Sequence, residues 1–147
     1  MKEPISLHEN TLYLIGQIDK TVRDKIILTI QQLGYDVSPE QFAILVILHY
    51  QDGIIQAEIA EAVNRDKTTV SRVLGRMEKS GLITKKSEAD NKRINKIFIT
   101  AKGKKIQQKL ITATGPIYRM ALHNICEEDN EIINRILLKI LHNVTKL

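Results

Sequence analysis

Between Asp66 and Leu82 the chain specifies both ends and both faces of one helix. Asp66 is a good N-cap, because a short carboxylate can accept from the unpaired backbone N–H groups of a first turn. Gly81 followed by Leu82 matches a left-handed helix stop with an apolar residue behind it. Over Lys67 to Ser80, Val70, Val73, Leu74 and Met77 recur at i, i+3, i+4 and i+7, the spacing of a buried helical stripe. The opposite face presents Thr68, Ser71, Arg72, Gly75, Arg76 and Lys79, with Thr69 at its margin and no large apolar side chain among them. Gly75 costs about 1 kcal/mol relative to alanine in a helix interior, a cost that close approach of a partner would explain.

Small hydroxyl residues near the helix start allow such an approach, and arginines can bond bidentately to guanine or phosphate, as a helix in a DNA major groove requires. A merely solvated basic helix would carry similar charge, so the neighbouring segments decide. Upstream, Asp52-Gly53 breaks the chain, Ile55 to Val63 reads as a short helix with Ile59, Ala60 and Val63 inward, and Asn64 to Asp66 is the turn. Downstream, Leu82 to Lys86 and Lys96 to Thr100 read as two strands around the polar loop Ser87 to Asn95. Lys85, Lys86, Lys92, Arg93 and Lys96 make that hairpin basic. One winged helix-turn-helix, from about Ile55 to Thr100, explains both basic elements together.

The flanks are helical. Apolar residues at Ile15, Ile18, Val22, Ile26, Ile30 and Leu33 predict an amphipathic helix over about Ile5 to Leu33, closed by Gly34. Ser38, Pro39 and Gln41 read as N-cap, N1 proline and capping-box partner of a buried helix through Phe42, Leu45, Leu48 and about Tyr50. Thr100 can cap a helix from Ala101 to about Ile125, with a kink or break expected at Gly115-Pro116. A last helix, from about Asp129, carries Ile132, Ile133, Ile136, Leu137, Ile140, Leu141 and Val144. The predicted fold class is therefore mainly α (α+β): a winged helix-turn-helix with a two-stranded β-wing, flanked by N- and C-terminal helices. Residues 1–147 form one domain in this reading, with DNA-binding region 38–100 and helical regions 5–34 and 101–147. The terminal stripes are wider than one small winged domain can cover, so a second copy of the chain is expected against them.

Charge supports the division. Residues 65–109 hold 14 Lys or Arg against 4 Asp or Glu, whereas the remainder holds 8 against 13, within a total of +5. Concentrated positive charge fits a polyanion partner, although a basic face also serves solubility or membrane surfaces. The longest pure apolar run, Phe42 to Leu48, is too short to cross a bilayer, and the N-terminus shows no signal-peptide pattern. With Cys126 the lone cysteine, an internal disulfide is ruled out and a reducing, cytoplasmic location is the expectation. His123 and Cys126 sit three apart, but His8, His49 and His142 are scattered, so neither metal nor cofactor is expected. Phosphate loops, dinucleotide fingerprints, G-x-S-x-G elbows and H-E-x-x-H pairs are absent from the sequence, which argues against an enzyme. The alternative is a winged-helix module for protein or RNA partners; Phe98 is the one aromatic of the basic region, which disfavours RNA stacking.

Several segments together carry a resemblance. Ser38-Pro-Glu-Gln-Phe, Gln56-Ala-Glu-Ile-Ala, Asp66-Lys-Thr-Thr-Val-Ser-Arg, Arg76-Met-Glu-Lys-Ser-Gly-Leu-Ile, the Lys92-Arg93 wing and Thr100-Ala-Lys-Gly103 stand in the order and spacing of the MarR (multiple antibiotic resistance regulator) family. The chain resembles that family over about Val37 to Lys109. The resemblance implies a homodimeric bacterial regulator on a pseudo-palindromic double-stranded operator, usually a repressor released by a small molecule or an oxidant. By position, Thr68, Thr69, Ser71 and Arg72 would face bases or nearby phosphates, and Arg76 the backbone. Arg93 would enter the minor groove, Gln56 would contact a phosphate, and Lys85, Lys86 and Lys92 would add less specific attraction. Redox-sensing members use a cysteine in the first helix, which this chain lacks. Two departures stand out: Asn91 where the family commonly has an aspartate holding the wing loop, and Asn64 where the turn usually has glycine.

Overall fold

The computed structural model describes residues 10–147. The elements are α1 (Thr11–Gln32), α2 (Pro39–Tyr50), β1 (Ile54–Ile55), α3 (Gln56–Ala62), α4 (Lys67–Lys79), β2 (Ile83–Ser87), β3 (Asn95–Ile99), α5 (Ala101–Ala121) and α6 (Glu127–Thr145). They fall into two units, one ending at Ile117 and one spanning Tyr118–Leu147. The chain is mainly helical with one small antiparallel sheet, the fold class expected from sequence.

Local chemistry sets most of the boundaries. Asn10 caps α1 by accepting from the N–H groups of Leu12 and Tyr13 at 3.0 and 3.1 Å. That start is later than the predicted one, and the stretch before Asn10 lies outside the described residues. Ser38 and Gln41 form the expected capping box of α2, each side chain accepting from the other's backbone N–H. The helix-turn-helix corner is built from two consecutive caps. Asn64, at φ 51°, closes α3 while Arg65 N–H reaches back to the Ala60 carbonyl. Asp66 then opens α4, its Oδ1 accepting from Thr69 N–H at 2.8 Å and its Oδ2 from the Thr69 hydroxyl at 2.6 Å. These two bonds, the hydroxyl first, hold the Asp66 carboxyl below its ordinary pKa.

The core of the first unit lies where α1, α2, α3, α4, the sheet and the first part of α5 converge. Ile30, Ile44, Leu45, Ile59, Leu74, Met77, Ile83, Ile97 and Leu110 are all buried, each contributing about 1.5–3 kcal/mol relative to exposure. In the sheet the order is β1-β3-β2, with Ile54 opposite Ile97 and Ile83 opposite Ile99. The side-chain period of two puts Ile54, Ile83 and Ile97 inward, and Thr84, Lys86, Lys96 and Phe98 on the other face.

Three expectations needed correction. Ile54–Ile55 is a strand, so α3 starts at Gln56 rather than Ile55 and the wing joins a three-stranded sheet. The cause is long-range: the Asp52 carboxylate accepts from Ile99 N–H at 2.8 Å, and Gly53 N–H donates to the Ile97 carbonyl at 2.9 Å. Secondly, α5 is not broken at Gly115-Pro116 but ends at Ala121. Proline removes one donor, and the carbonyl it would have served, that of Thr112, belongs to an exposed residue that water can reach. Thirdly, α6 begins two residues early, at Glu127, because Cys126 is its N-cap and Sγ accepts from Asp129 N–H at 3.5 Å.

At the junction of α4, the wing and α5, Thr100 Oγ1 donates to the Gly81 carbonyl at 2.6 Å and accepts from Gly103 N–H at 3.0 Å. A Cβ on Gly103 would stand 2.1 Å from the Leu82 carbonyl oxygen. Gly103→Ala should therefore lower stability by about 1–3 kcal/mol through overpacking, although alanine is the better helix former by about 1 kcal/mol. A urea midpoint that rises in this variant would refute the close contact. Asp66 contributes above its unfolded-state pKa, and its share is lost as pH falls through the lower folded value. Asp66→Asn should accordingly flatten the acid limb of a stability curve recorded between about pH 5 and pH 2.

Candidate nucleic-acid interface

On α4 the division of faces is sharp. Val70, Leu74 and Met77 are at most 1% exposed, while Thr68, Ser71, Arg72, Arg76 and Lys79 are exposed. Val73, read from the sequence as part of the buried stripe, is half-buried at its edge. Among the described residues the ion pairs are Lys20–Asp24, Arg23–Asp19 and Lys96–Glu88. Arg72 and Arg76 thus have no carboxylate partner there. Among the described residues the Arg72 and Arg76 guanidinium groups and the Thr68 and Ser71 hydroxyls, all on one packed helix, have their hydrogen-bonding capacity unspent. Thr69 differs: it is half-buried and its hydroxyl is engaged with Asp66.

In the wing, β2 and β3 are joined by a loop that Asn91 organises. Its side-chain Oδ1 accepts from Arg93 N–H at 3.0 Å, its carbonyl accepts from Ile94 N–H at 3.1 Å, and its own N–H donates to the Glu88 carbonyl at 3.2 Å. An amide oxygen thus serves the backbone of the wing tip, leaving Arg93 and Lys92 exposed on a defined turn without an ion pair among the described residues. Lys96 is tied to Glu88 at 2.8 Å, and Lys86 Nζ stands 5.0 Å from the Phe98 ring centre, a cation–π contact. Lys85 and Lys86, adjacent in sequence, project to opposite faces of β2, with Lys85 half-buried beside Ile97.

Gln56 is the first residue of α3 and half-buried, and its side chain makes no hydrogen bond among the described residues. Arg65 and Lys67, both exposed, bracket the Asp66 cap and add positive charge where α4 begins. They were not singled out from sequence, although their place in the turn was the available signal. Among the described residues no group of His, Cys, Asp and Glu could hold a metal ion, and no helix is long and apolar enough to cross a membrane.

Known proteins share this fold. The MarR family model matches residues 37–94. The uncharacterized HTH-type transcriptional regulator YybA of Bacillus subtilis (strain 168) is 32% identical over 132 residues, covering 90% of this chain and 87% of the relative. The Staphylococcus aureus MepR–DNA complex superposes with a TM-score of 0.82 at 28% identity, over 95% of this chain and 99% of that one. A MarR-family regulator from Listeria monocytogenes complexed with a 26mer DNA gives 0.82 at 28% identity, over 94% and 91%. The two exposed basic elements described above belong to a fold whose relatives are solved on DNA, and the chain is a member of the MarR family, a DNA-binding transcriptional regulator and not an enzyme.

Proposed function

We propose that two copies of the chain bind a pseudo-palindromic duplex operator and act as a ligand-released repressor. The observation that carries this reading is the face of α4 on which Thr68, Ser71, Arg72 and Arg76 are exposed and uncommitted while the other face is locked in the core. In the proposal α4 enters the major groove. Ser71 and Arg72 meet base edges, Thr68 and Arg76 the strand, and Thr69 holds the helix start. Arg93, on its Asn91-ordered turn, enters the adjacent minor groove, where narrow A·T tracts concentrate negative potential. Gln56 donates to a phosphate, and Lys85, Lys86 and Lys92 attract the backbone without reading sequence.

A homodimer is supported by the apolar side chains left uncovered. Ile132, Ile133, Ile136, Leu137, Leu141 and Val144 of α6 are 37–57% exposed, and no residue of that helix is buried. Such a surface suits association of like chains. Two α4 helices related by a two-fold axis would address half-sites about 34 Å apart. Ligand response is supported by a groove of about 410 Å³ lined by Tyr35, Ala101, Lys102, Lys105, Ile106 and Lys109. With the Lys102 ammonium held on the Ser80 carbonyl at 2.7 Å, Lys105 and Lys109 beside the Tyr35 ring favour an anionic effector.

Arg72→Ala should cost about 1–3 kcal/mol on the operator and relax discrimination at one base pair per half-site. Equal losses on operator and random duplex would contradict that role. Lys86→Ala should weaken both duplexes alike and reduce the salt slope by about one unit. In a panel of aromatic carboxylates and organic phosphates, at least one should release bound duplex from the wild-type protein. The Lys105→Ala, Lys109→Ala double variant should ignore it, and release that survives would place the effector elsewhere.

A further inference from the structure

Gly75 is the residue of α4 for which the fold gives no reason. Glycine inside a helix is less stable than alanine, so a helix interior retains it at a cost. At Gly34, Gly53, Gly81 and Gly103 the reason is visible. Gly34, Gly53 and Gly81 sit at φ near +75°, and a Cβ at Gly53 or Gly103 would collide with Phe98 or the Leu82 carbonyl. Gly75 has no positive φ, and beyond its chain neighbours and its own helix backbone no atom lies within 4 Å of where its Cβ would stand. Gly16 in α1 is equally open, but its helical neighbours Leu12, Tyr13, Asp19 and Lys20 carry no net charge.

The surroundings of Gly75 are different. At about 100° per residue, Arg72, Lys79 and Arg76 lie on one side of it and Ser71 and Glu78 on the other. A bare stretch of helix backbone edged by three cations on one side, with its carboxylate on the opposite side, fits a sugar–phosphate strand running along the cationic edge. The helix position agrees. A recognition helix meets base edges with its N-terminal residues, and Gly75 is in the third turn, where a helix of about 10–12 Å diameter leaves a groove about 12 Å wide.

We propose that Gly75 is a positioning residue, the point at which one DNA strand crosses α4 in closest contact, and that the missing side chain sets how deeply the helix seats. This rests on the DNA-binding reading above. It adds a contact that is steric and independent of base sequence, unlike that assigned to Arg72.

The test uses the full chain, a duplex enriched from a random-sequence pool by the wild-type protein, and a scrambled duplex of equal length. Gly75→Ala and Gly75→Leu are compared in duplex affinity and in thermal unfolding. Because the space is open in the free protein, both variants should melt no lower than wild type, which separates lost binding from lost folding. Gly75→Leu should lose about tenfold or more in affinity on both duplexes, and Gly75→Ala less. A leucine variant that binds both duplexes like wild type would overturn the proposal. So would a loss confined to the enriched duplex, because the position would then face base edges rather than the strand. If the wild-type protein enriches no duplex, the DNA-binding reading itself fails and this inference falls with it.

Discussion

The contact on which the rest of the molecule depends is the packing of Gly103 against the Leu82 carbonyl. It brings the first turn of α5 against the chain just where α4 has ended and β2 is about to begin. Thr100 locks the same place from three directions. Its hydroxyl donates to Gly81, its backbone N–H donates to Leu82 at 3.0 Å, and its oxygen accepts from Gly103. The left-handed turn at Gly81 and this lock together fix the direction in which the wing leaves the recognition helix. A DNA reader needs that constraint, because two elements that must engage neighbouring grooves cannot be hinged freely to each other.

Within that frame α4 does two jobs at once. Its inner face supplies three side chains to the core, and the resulting lack of freedom is what makes its outer face useful. Side chains held on a packed helix lose little further entropy on binding. The arginines of that face are unpaired among the described residues, so engaging phosphate or base does not require breaking an ion pair first. The wing follows the same rule by different means. Asn91 orders the loop through its neutral amide, so the turn is defined without a carboxylate at that position beside Arg93. The asparagine that stands in place of the family's usual aspartate therefore still accepts from the backbone two residues on, which is the geometric task; only the charge is missing.

Much of this was legible from residues alone because the signals were local. Asp66, Asn64, Gly81 and the Ser38–Gln41 box act over three or four residues, and the structure uses each as the sequence indicates. The two faces of α4 follow from helical periodicity and needed no knowledge of the fold. What sequence could not show has partners far away. The Asp52 carboxylate meets Ile99 N–H 47 residues on, which makes Ile54–Ile55 a third strand and moves the helix start expected at Ile55 to Gln56. Gln107, polar and yet buried, is explained by its amide donating to the Leu45 carbonyl at 2.6 Å, 62 residues away.

By itself, then, the amino-acid sequence determined the fold class, the ends of the recognition helix, the face it shows to solvent and the kind of partner that face suits. These depend on spacing and on charge, which are properties of the chain read in order. The tertiary structure decided which of the basic residues are free. It engaged Lys96 with Glu88, set Lys86 over the Phe98 ring while leaving it exposed, turned Lys85 toward the core side of the sheet, spent the Thr69 hydroxyl on the cap, and left Arg72, Arg76, Lys92 and Arg93 exposed. The physical reason is that whether a charge is available depends on which groups lie within a few ångströms of it, and those groups are brought there by strand register and packing rather than by neighbours in the sequence.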